Sequence, residues 1–398
     1  MSAVDTAHGR LALPAFLPDA TRAVVRAAAS DELAACGIDA LMVNALHLAD
    51  SPGVSLVRAA GGIRRFMGWR GIVASDSGGF QAWSLAAGPG RAGPGRPAGG
   101  ARARMTDAGI TIERPGHARA RLLTPEKSIE QQLRLGAAIV FCLDACTHPG
   151  APTELQRESV ARTVDWARRC RVAFDRELER SAGAGRRGGR RDRPAHAREE
   201  RTCPPDGPAE SPAAPPLLFA VVQGGNERDL RRACIEALAG IGFDGYGFGG
   251  WPVAEGGELL ETVSFVAGEL PAASLMHGLG IGKPDTLVAA WRAGYRLFDC
   301  VIPTRDARHG RLFRFREDPA ASALDGRAFY DEVAIADERF ARRMRPLEPG
   351  CPCALCRSYP AAYLRHLFRI RDASAARLAT LHNLTFYGRL MRALRERS

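Results

Sequence analysis

No stretch of this 398-residue chain carries the ~18 to 20 consecutive apolar residues that a membrane helix requires. The polar start, residues 1–10, has no apolar segment ahead of a small-residue cleavage site, so a secretory signal is missing as well. Both absences lead to the expectation of a cytoplasmic protein with no membrane contact. Also lacking are the evenly spaced cysteine pairs of a secreted disulfide framework. Of ten cysteines, three crowd together at Cys351, Cys353 and Cys356 and the others are scattered, which in a cytosolic chain points to metal. Wholesale disorder is excluded by an apolar content of 46%, enough to fill a large core. Charge is not balanced: the chain carries +11, of which +4 sits in residues 181–201, where seven Arg face three acids. Such a surplus fits a polyanionic partner, because phosphate contacts release counterions. It equally fits solubility combined with an arginine-rich composition.

Two tracts rich in Gly, Pro, Arg and Ala, 88–104 and 181–216, lack apolar periodicity and read as surface loops or disordered insertions. The arginines of the second can brush RNA or belong to a tolerated low-complexity insertion. Elsewhere one theme repeats. A short apolar run stops abruptly at Gly or a polar residue, and helix-like sequence usually follows. The eight runs are 15–17, 40–43, 71–74, 138–143, 217–222, 245–248, 274–279 and 295–298. Runs apolar on both strand faces imply a parallel sheet covered by helices, and eight such units predict an α/β fold, the (β/α)8 TIM barrel. A helix start is legible at Thr124, a capping residue, followed by Pro125 and the dipole-compatible Glu126. Another helix is predicted from Thr153 through Trp166 toward Glu179. Segments 110–112 and 119–123 read as a hairpin inserted after the third barrel strand. The expected organisation is a single domain over 1–398: a barrel at 9–320, a disordered low-complexity insertion at 181–216, and a C-terminal zinc-binding helical subdomain at 345–390.

In such a barrel, chemistry sits where strands end at their carboxyl side. The runs end in Asn44, then His47; in Asp76, within Ser75-Asp76-Ser77-Gly78-Gly79-Phe80-Gln81; in Asp144, then Cys146 and Thr147; in Gln223-Gly224-Gly225; in Gly249-Gly250; and in Asp299-Cys300. A single Asp here is as well explained as the cap of the next helix. Three in register beside Gln223 favour a site. Two carboxylates flanking a sugar carbon can cleave a glycosidic bond with retention, one attacking the anomeric carbon and the other handling protons. A further carboxylate and an amide suit a guanine-like edge, glycine N–H groups can donate to O6, and Phe80 can stack on a flat base.

Cys351-Pro352-Cys353-Ala354-Leu355-Cys356 is C-x-C-x2-C, with His382 following after 25 residues. Cys3His is a closed structural zinc set, with a role in folding the C-terminal part rather than in activating water. His366 is a competing ligand, although its surroundings read as an outward-facing helix.

The motifs Asp76-Ser77-Gly78-Gly79-Phe80-Gln81, Leu123-Thr124-Pro125-Glu126-Lys127-Ser128, Val222-Gln223-Gly224-Gly225 and Phe298-Asp299-Cys300-Val301-Ile302-Pro303-Thr304-Arg305, with the zinc pattern and Asn383, closely resemble the tRNA-guanine transglycosylases. The likeness runs from about Gly9 to the C-terminus, outside the two tracts. It implies a zinc-bearing barrel that exchanges guanine in tRNA, at the anticodon wobble position, for a 7-deazaguanine base without ATP. By matching motif, Asp299 would be the nucleophile at C1′ of the target ribose. Asp76 would be the general acid/base near Asn44. Asp144, Gln223 and Gly250 would hold the base, Phe80 would wall the stack, and Arg305 and Arg308 would contact the RNA. The resemblance also implies a homodimer, with Tyr359, Tyr363 and His366 where bacterial members carry an aromatic dimer contact.

Some positions depart from the family pattern. Ala145 stands where bacterial members usually have Glu, Trp251-Pro252 follows Gly250 in place of Leu, and Leu279 replaces a methionine wall. Cys146 and Val253 match the bacterial pattern for preQ1, so preQ1 is expected ahead of queuine. The chain ends 16 residues after His382, which speaks against the archaeal multi-domain type. Two alternatives stand beside the tRNA enzyme: a DNA deazaguanine-inserting relative, against which the Thr304-Arg305-Asp306-Ala307-Arg308 stretch leans, and a non-catalytic tRNA-binding partner subunit, which predicts loss of an acidic pair that is present here.

Overall fold

Eight apolar runs become eight parallel strands: β1 (Ala15–Pro18), β2 (Ala40–Asn44), β3 (Ile72–Asp76), β4 (Ile139–Phe141), β5 (Leu217–Val222), β6 (Gly245–Phe248), β7 (Leu275–Leu279) and β8 (Leu297–Cys300). In the computed structural model, which describes residues 1–86, 102–113, 120–148, 150–187 and 214–397, the sheet runs β1-β8-β7-β6-β5-β4-β3-β2. The seam between β1 and β2 is bridged in parallel at Asp19 and Met42, where the Ala20 N–H donates to the Met42 carbonyl at 2.7 Å. The sheet thus curls into a nearly closed barrel with helices outside, as the repeating run-and-helix pattern predicts.

Strand alternation sets what the barrel contains. Leu17, Met42, Ala74, Phe141, Val221 and Leu297 belong to one buried interior cluster. Two positions further along the same strand faces come Asp19, Asn44, Asp76, Gln223 and Asp299. The period of two therefore lifts a polar ring to the carboxyl rim, directly above an apolar filling. At the opposite end, an antiparallel hairpin, Ala3–Thr6 with Gly9–Ala12, lies across the barrel, and Leu11 and Leu13 join the interior cluster.

Helix α1 (Pro125–Leu135) starts as its sequence predicts: the Thr124 hydroxyl accepts from the Lys127 N–H at 3.3 Å, Pro125 opens the helix, and Gly136 closes it in the left-handed region. Three expectations need correction. Helix α2 spans Thr153–Arg187, so the helix continues into the tract read as an insertion from residue 181, where Ala182, Ala184, Arg186 and Arg187 favour helix against Gly183 and Gly185. The inserted hairpin is a three-stranded antiparallel sheet, Arg102–Thr106, Gly109–Glu113 and Arg121–Leu123. Its first strand begins inside the tract read as loop over 88–104, because Ala103 and Met105 alternate with Arg102 and Arg104 and pack against the core. The remainder of both tracts, 88–101 and 188–213, lies outside the described residues.

Helix α3 (Arg228–Ile241) follows β5. After the barrel, α4 (Ala354–Ser358), α5 (Ala361–Arg369) and α6 (Ala373–Arg395) form the C-terminal part. The core of α6 passes so close to the 36–37 turn that a Cβ on Gly388 would lie 2.0 Å from the Cys36 carbonyl oxygen. At its end, the Arg395 guanidinium donates to the Pro14 carbonyl at 2.9 Å, tying the helix to the foot of β1. Among the described residues no helix is long and apolar enough to cross a membrane.

Candidate active site and metal centre

Asp76 ends β3 in direct register with Asn44 at the end of β2. Its Oδ2 accepts from Asn44 Nδ2 at 2.9 Å and from Gln81 Nε2 at 3.2 Å, while Oδ1 accepts from the Gly78 N–H at 3.1 Å. Burial, reinforced by the negative charge of Asp299, pushes this carboxyl up to about 8 despite those donors. It is therefore a carboxylic acid at neutral pH. Asp299, at the end of β8, is partly open to solvent. Its Oδ1 faces His277 Nε2 at 2.9 Å and the Gly280 N–H at 3.4 Å. His277 itself is fully buried, edge-on to Phe141, and its Nδ1 has no partner among the described residues, so Nε2–H is the natural donor to Asp299.

Two residues of this rim escaped the sequence reading. His277 sits mid-strand in β7 rather than at a strand end. Asp19 lies just beyond the first run, whose reading stopped at Leu17. Its carboxylate accepts from the Thr21 N–H at 3.2 Å and from the Thr21 hydroxyl. Burial raises its pKa, partly offset by Thr21, with Asp299 adding to the rise. The missed signal was alternation: Asp19 is two positions after an interior leucine.

Across the rim, Gln223 Nε2 donates to Asp144 Oδ2 at 2.7 Å, and both side chains are buried. Burial raises Asp144 to about 6, with the Gln223 donor acting in the opposite direction. Gln223, Gly225, Gly250 and Trp251 line a small cavity. Gly250 takes φ +89°, a conformation that L side chains rarely adopt. Phe80 is 45% exposed and meets Trp83 and Trp251 at centroid distances of 5.9 and 5.6 Å, and His148 packs on Trp251 at 5.7 Å. Trp251, the departure noted in sequence, is thus part of an aromatic wall beside the cavity.

Arg305 and Arg308 are half-buried on the helix after β8, Ile302–Arg308. Burial lowers the pKa of Arg308, and the like charges of Arg26 and Arg305 lower it further; its Nη1 finds no partner among the described residues. Cations held together with an unused donor form a site that suits an anion.

Cys351, Cys353, Cys356 and His382 converge, with all four ligand atoms within 4.8 Å of one another. The three Sγ atoms lie 3.8, 3.4 and 3.5 Å from His382 Nδ1. Edges of roughly 3.6 to 3.8 Å follow from tetrahedral Zn–S and Zn–N bond lengths, so the cluster fits that ion. His382 Nε2 points at the Phe313 carbonyl, 2.7 Å away, which fixes the ring with Nδ1 free to ligate. The competing His366 is outside the cluster and exposed on α5. Tyr359 and Tyr363, also exposed, stack on each other at 4.9 Å.

A family model described as Queuine tRNA-ribosyltransferase matches residues 1–397. Among curated proteins, the chain is 37% identical over 392 residues to a queuine tRNA-ribosyltransferase of Syntrophobacter fumaroxidans, covering 98% of this chain and 88% of that one. It is 35% identical to the protein of the same name from Solidesulfovibrio magneticus, covering 99% and 89%. The corresponding protein of Novosphingobium aromaticivorans is 34% identical, with the same coverage.

Proposed function

The chain belongs to the queuine tRNA-ribosyltransferase family, the tRNA-guanine transglycosylases, and on that premise we propose that it replaces guanine at the anticodon wobble position of tRNA by a 7-deazaguanine base through a covalent Asp299–ribose intermediate. The observation that carries this reading is the pairing of two unlike carboxyls on one rim. Asp76 is held protonated by burial and by the charge of Asp299, whereas Asp299 is reachable from solvent and oriented by His277 and Gly280.

The proposed steps balance. An Asp299 carboxylate oxygen attacks C1′ while the C1′–N9 bond breaks and its electron pair leaves with guanine; Asp76 supplies the proton that neutralises the departing base. The incoming base then returns its proton to Asp76 and attacks C1′ from the face that guanine left, which frees the Asp299 carboxylate and retains configuration. Asp144, Gln223 and Gly250 would hold the base edge, Phe80 would cover its face, and Asn44 would orient Asp76. Arg305 and Arg308 would neutralise RNA phosphates near the target nucleotide, which must leave its stack to reach the rim.

The Cys3His cluster would bind a structural zinc ion that folds the C-terminal part and leaves no open coordination position. In this reading the whole chain, 1–398, works as one domain, barrel 9–320 with zinc part 345–390, as a cytoplasmic homodimer joined through Tyr359, Tyr363 and His366. PreQ1 is the favoured base over queuine, on Cys146 and Val253.

The test is incorporation of labelled guanine into purified tRNA, with a DNA of the same sequence as control and preQ1 and queuine as competitors. Incorporation into tRNA, displaced best by preQ1, is expected. Asp299→Ala should reduce exchange below detection and give no denaturant-stable protein–tRNA adduct while melting like the parent. Retained turnover in that variant would remove Asp299 from the role of nucleophile.

A further inference from the structure

Arg231, on the first turn of α3, is 1% exposed, although its neighbours Arg228 and Arg232 face solvent. Among the described residues it pairs with no carboxylate. Its guanidinium stacks on the Phe248 ring, 4.2 Å from the centroid, and donates to three backbone carbonyls: Nε to Gly225 at 2.9 Å, Nη2 to Gly249 at 2.9 Å, and Nη1 to Val222. Burial of the charge pulls its pKa down to about 10. A buried cation without a counter-ion is costly and is retained only where its donors are well used. Here the acceptors are the last residue of β5, Val222, and the loops that follow β5 and β6, and Arg231 itself lines the cavity with Gln223 and Gly250.

Each carbonyl it binds shares a peptide group with the next residue's N–H. Donation into the Gly249 carbonyl draws electron density across the 249–250 peptide and makes the Gly250 N–H a stronger donor, since hydrogen bonds in chains reinforce one another. The same holds for the 222–223 peptide and the Gln223 N–H. Among the described residues no acceptor meets the Gly250 N–H. Gly250 is kept close to the clamp: a Cβ built on it would sit 3.8 Å from both Arg231 Nη2 and Gln223 Oε1.

We propose that Arg231 is a positioning residue that locks the 222–225 and 249–250 loops against each other and polarises the Gly250 N–H toward the O6 of a bound guanine-type base. The inference rests on the reading that these loops hold such a base. Arg231 touches no reacting atom; it acts through the peptide it binds, and its charge favours the negative end of the carbonyl-bearing base over a base that lacks O6.

The experiment measures equilibrium binding of guanine and of 2-aminopurine, which lacks O6, to the zinc-loaded full chain and to Arg231→Lys and Arg231→Met. Lys keeps the charge but loses the fork, and Met keeps the length alone. Expected is a loss of about tenfold in guanine affinity with less than about twofold for 2-aminopurine, larger for Met than for Lys, with tRNA affinity unchanged. Equal losses for the two bases would reduce Arg231 to fold support and overturn the proposal, as would no loss at all. Should neither variant fold, glycine-selective amide NMR of the unaltered protein decides: guanine must move the Gly250 amide proton downfield and 2-aminopurine must not. An unmoved amide overturns the proposal. Failure of guanine to bind the unaltered protein would instead refute the base-site reading beneath it; should only 2-aminopurine fail to bind, the shift of the Gly250 amide with guanine decides.

Discussion

Asp76 and Asp144 are both carboxyls displaced upward by burial, yet their proposed tasks require opposite protonation states. Asp144 accepts from the base N–H groups only as a carboxylate, so binding is lost as pH falls through about 6. Asp76 gives a proton only as an acid, so turnover is lost as pH rises through about 8. Exchange, measured as kcat/KM for the free base, should therefore peak between those values and fall about tenfold per pH unit outside them. A profile flat across this window would contradict the assignment. The same shifts bear on stability. Both groups hold protons more tightly folded than unfolded, so they stabilise the fold at low pH and progressively cease to as pH climbs from the ordinary carboxylate range through about 6 and then about 8. Asp76→Asn, neutral throughout, should melt progressively higher relative to the parent across that interval; a gap that does not widen would show that Asp76 is ionised in the fold. The acids at strand ends were legible because polarity straight after an apolar run is conspicuous. Asp19 and Arg231 were not. The first hides beyond a proline at the end of the shortest run, and the second is one of three arginines within five positions of one helix, distinguishable only by which face that helix buries.

At the scale of elements, the eight strands were visible because a parallel sheet covered on both faces needs unbroken apolar runs, which few other structures produce. The strand Arg102–Thr106 was obscured for the converse reason. One of its faces is solvated, so arginines alternate with Ala103 and Met105, and a Gly/Pro-rich neighbourhood masks the alternation. The Cys3His centre was legible from spacing alone, although the choice of His382 over His366 needed α6 to bring the ring back to the thiolates. Cys353 also caps α4, its Sγ accepting from the Cys356 N–H at 3.3 Å. Cys353→Ser should thus lose most bound zinc, measured as metal per chain, and lower the melting temperature by several degrees. An unchanged stoichiometry would dismiss the metal assignment. Because α6 runs from this centre to the foot of β1 and fits tightly against Cys36 through Gly388, loosening there should increase amide exchange at both ends of the helix.

For the molecule as a whole, a stacked pair of exposed tyrosines on α5 and just before it marks the face on which the proposed homodimer contact falls. Sedimentation velocity should find a dimer, and Tyr363→Lys should shift it toward monomer with little change in metal content; a dimer that persists would place the contact on another face. The amino-terminal hairpin has a different consequence. With Leu11 and Leu13 joining the apolar filling at the lower end, the polar rim can be entered from one side only, and in the proposed reaction RNA would lie across that entrance. In the proposed reaction the outgoing base and its replacement would use the same vestibule in turn, so architecture would set the order of the swap: the old occupant would vacate before the new one is admitted, and during that interval the sugar would remain tethered to the enzyme.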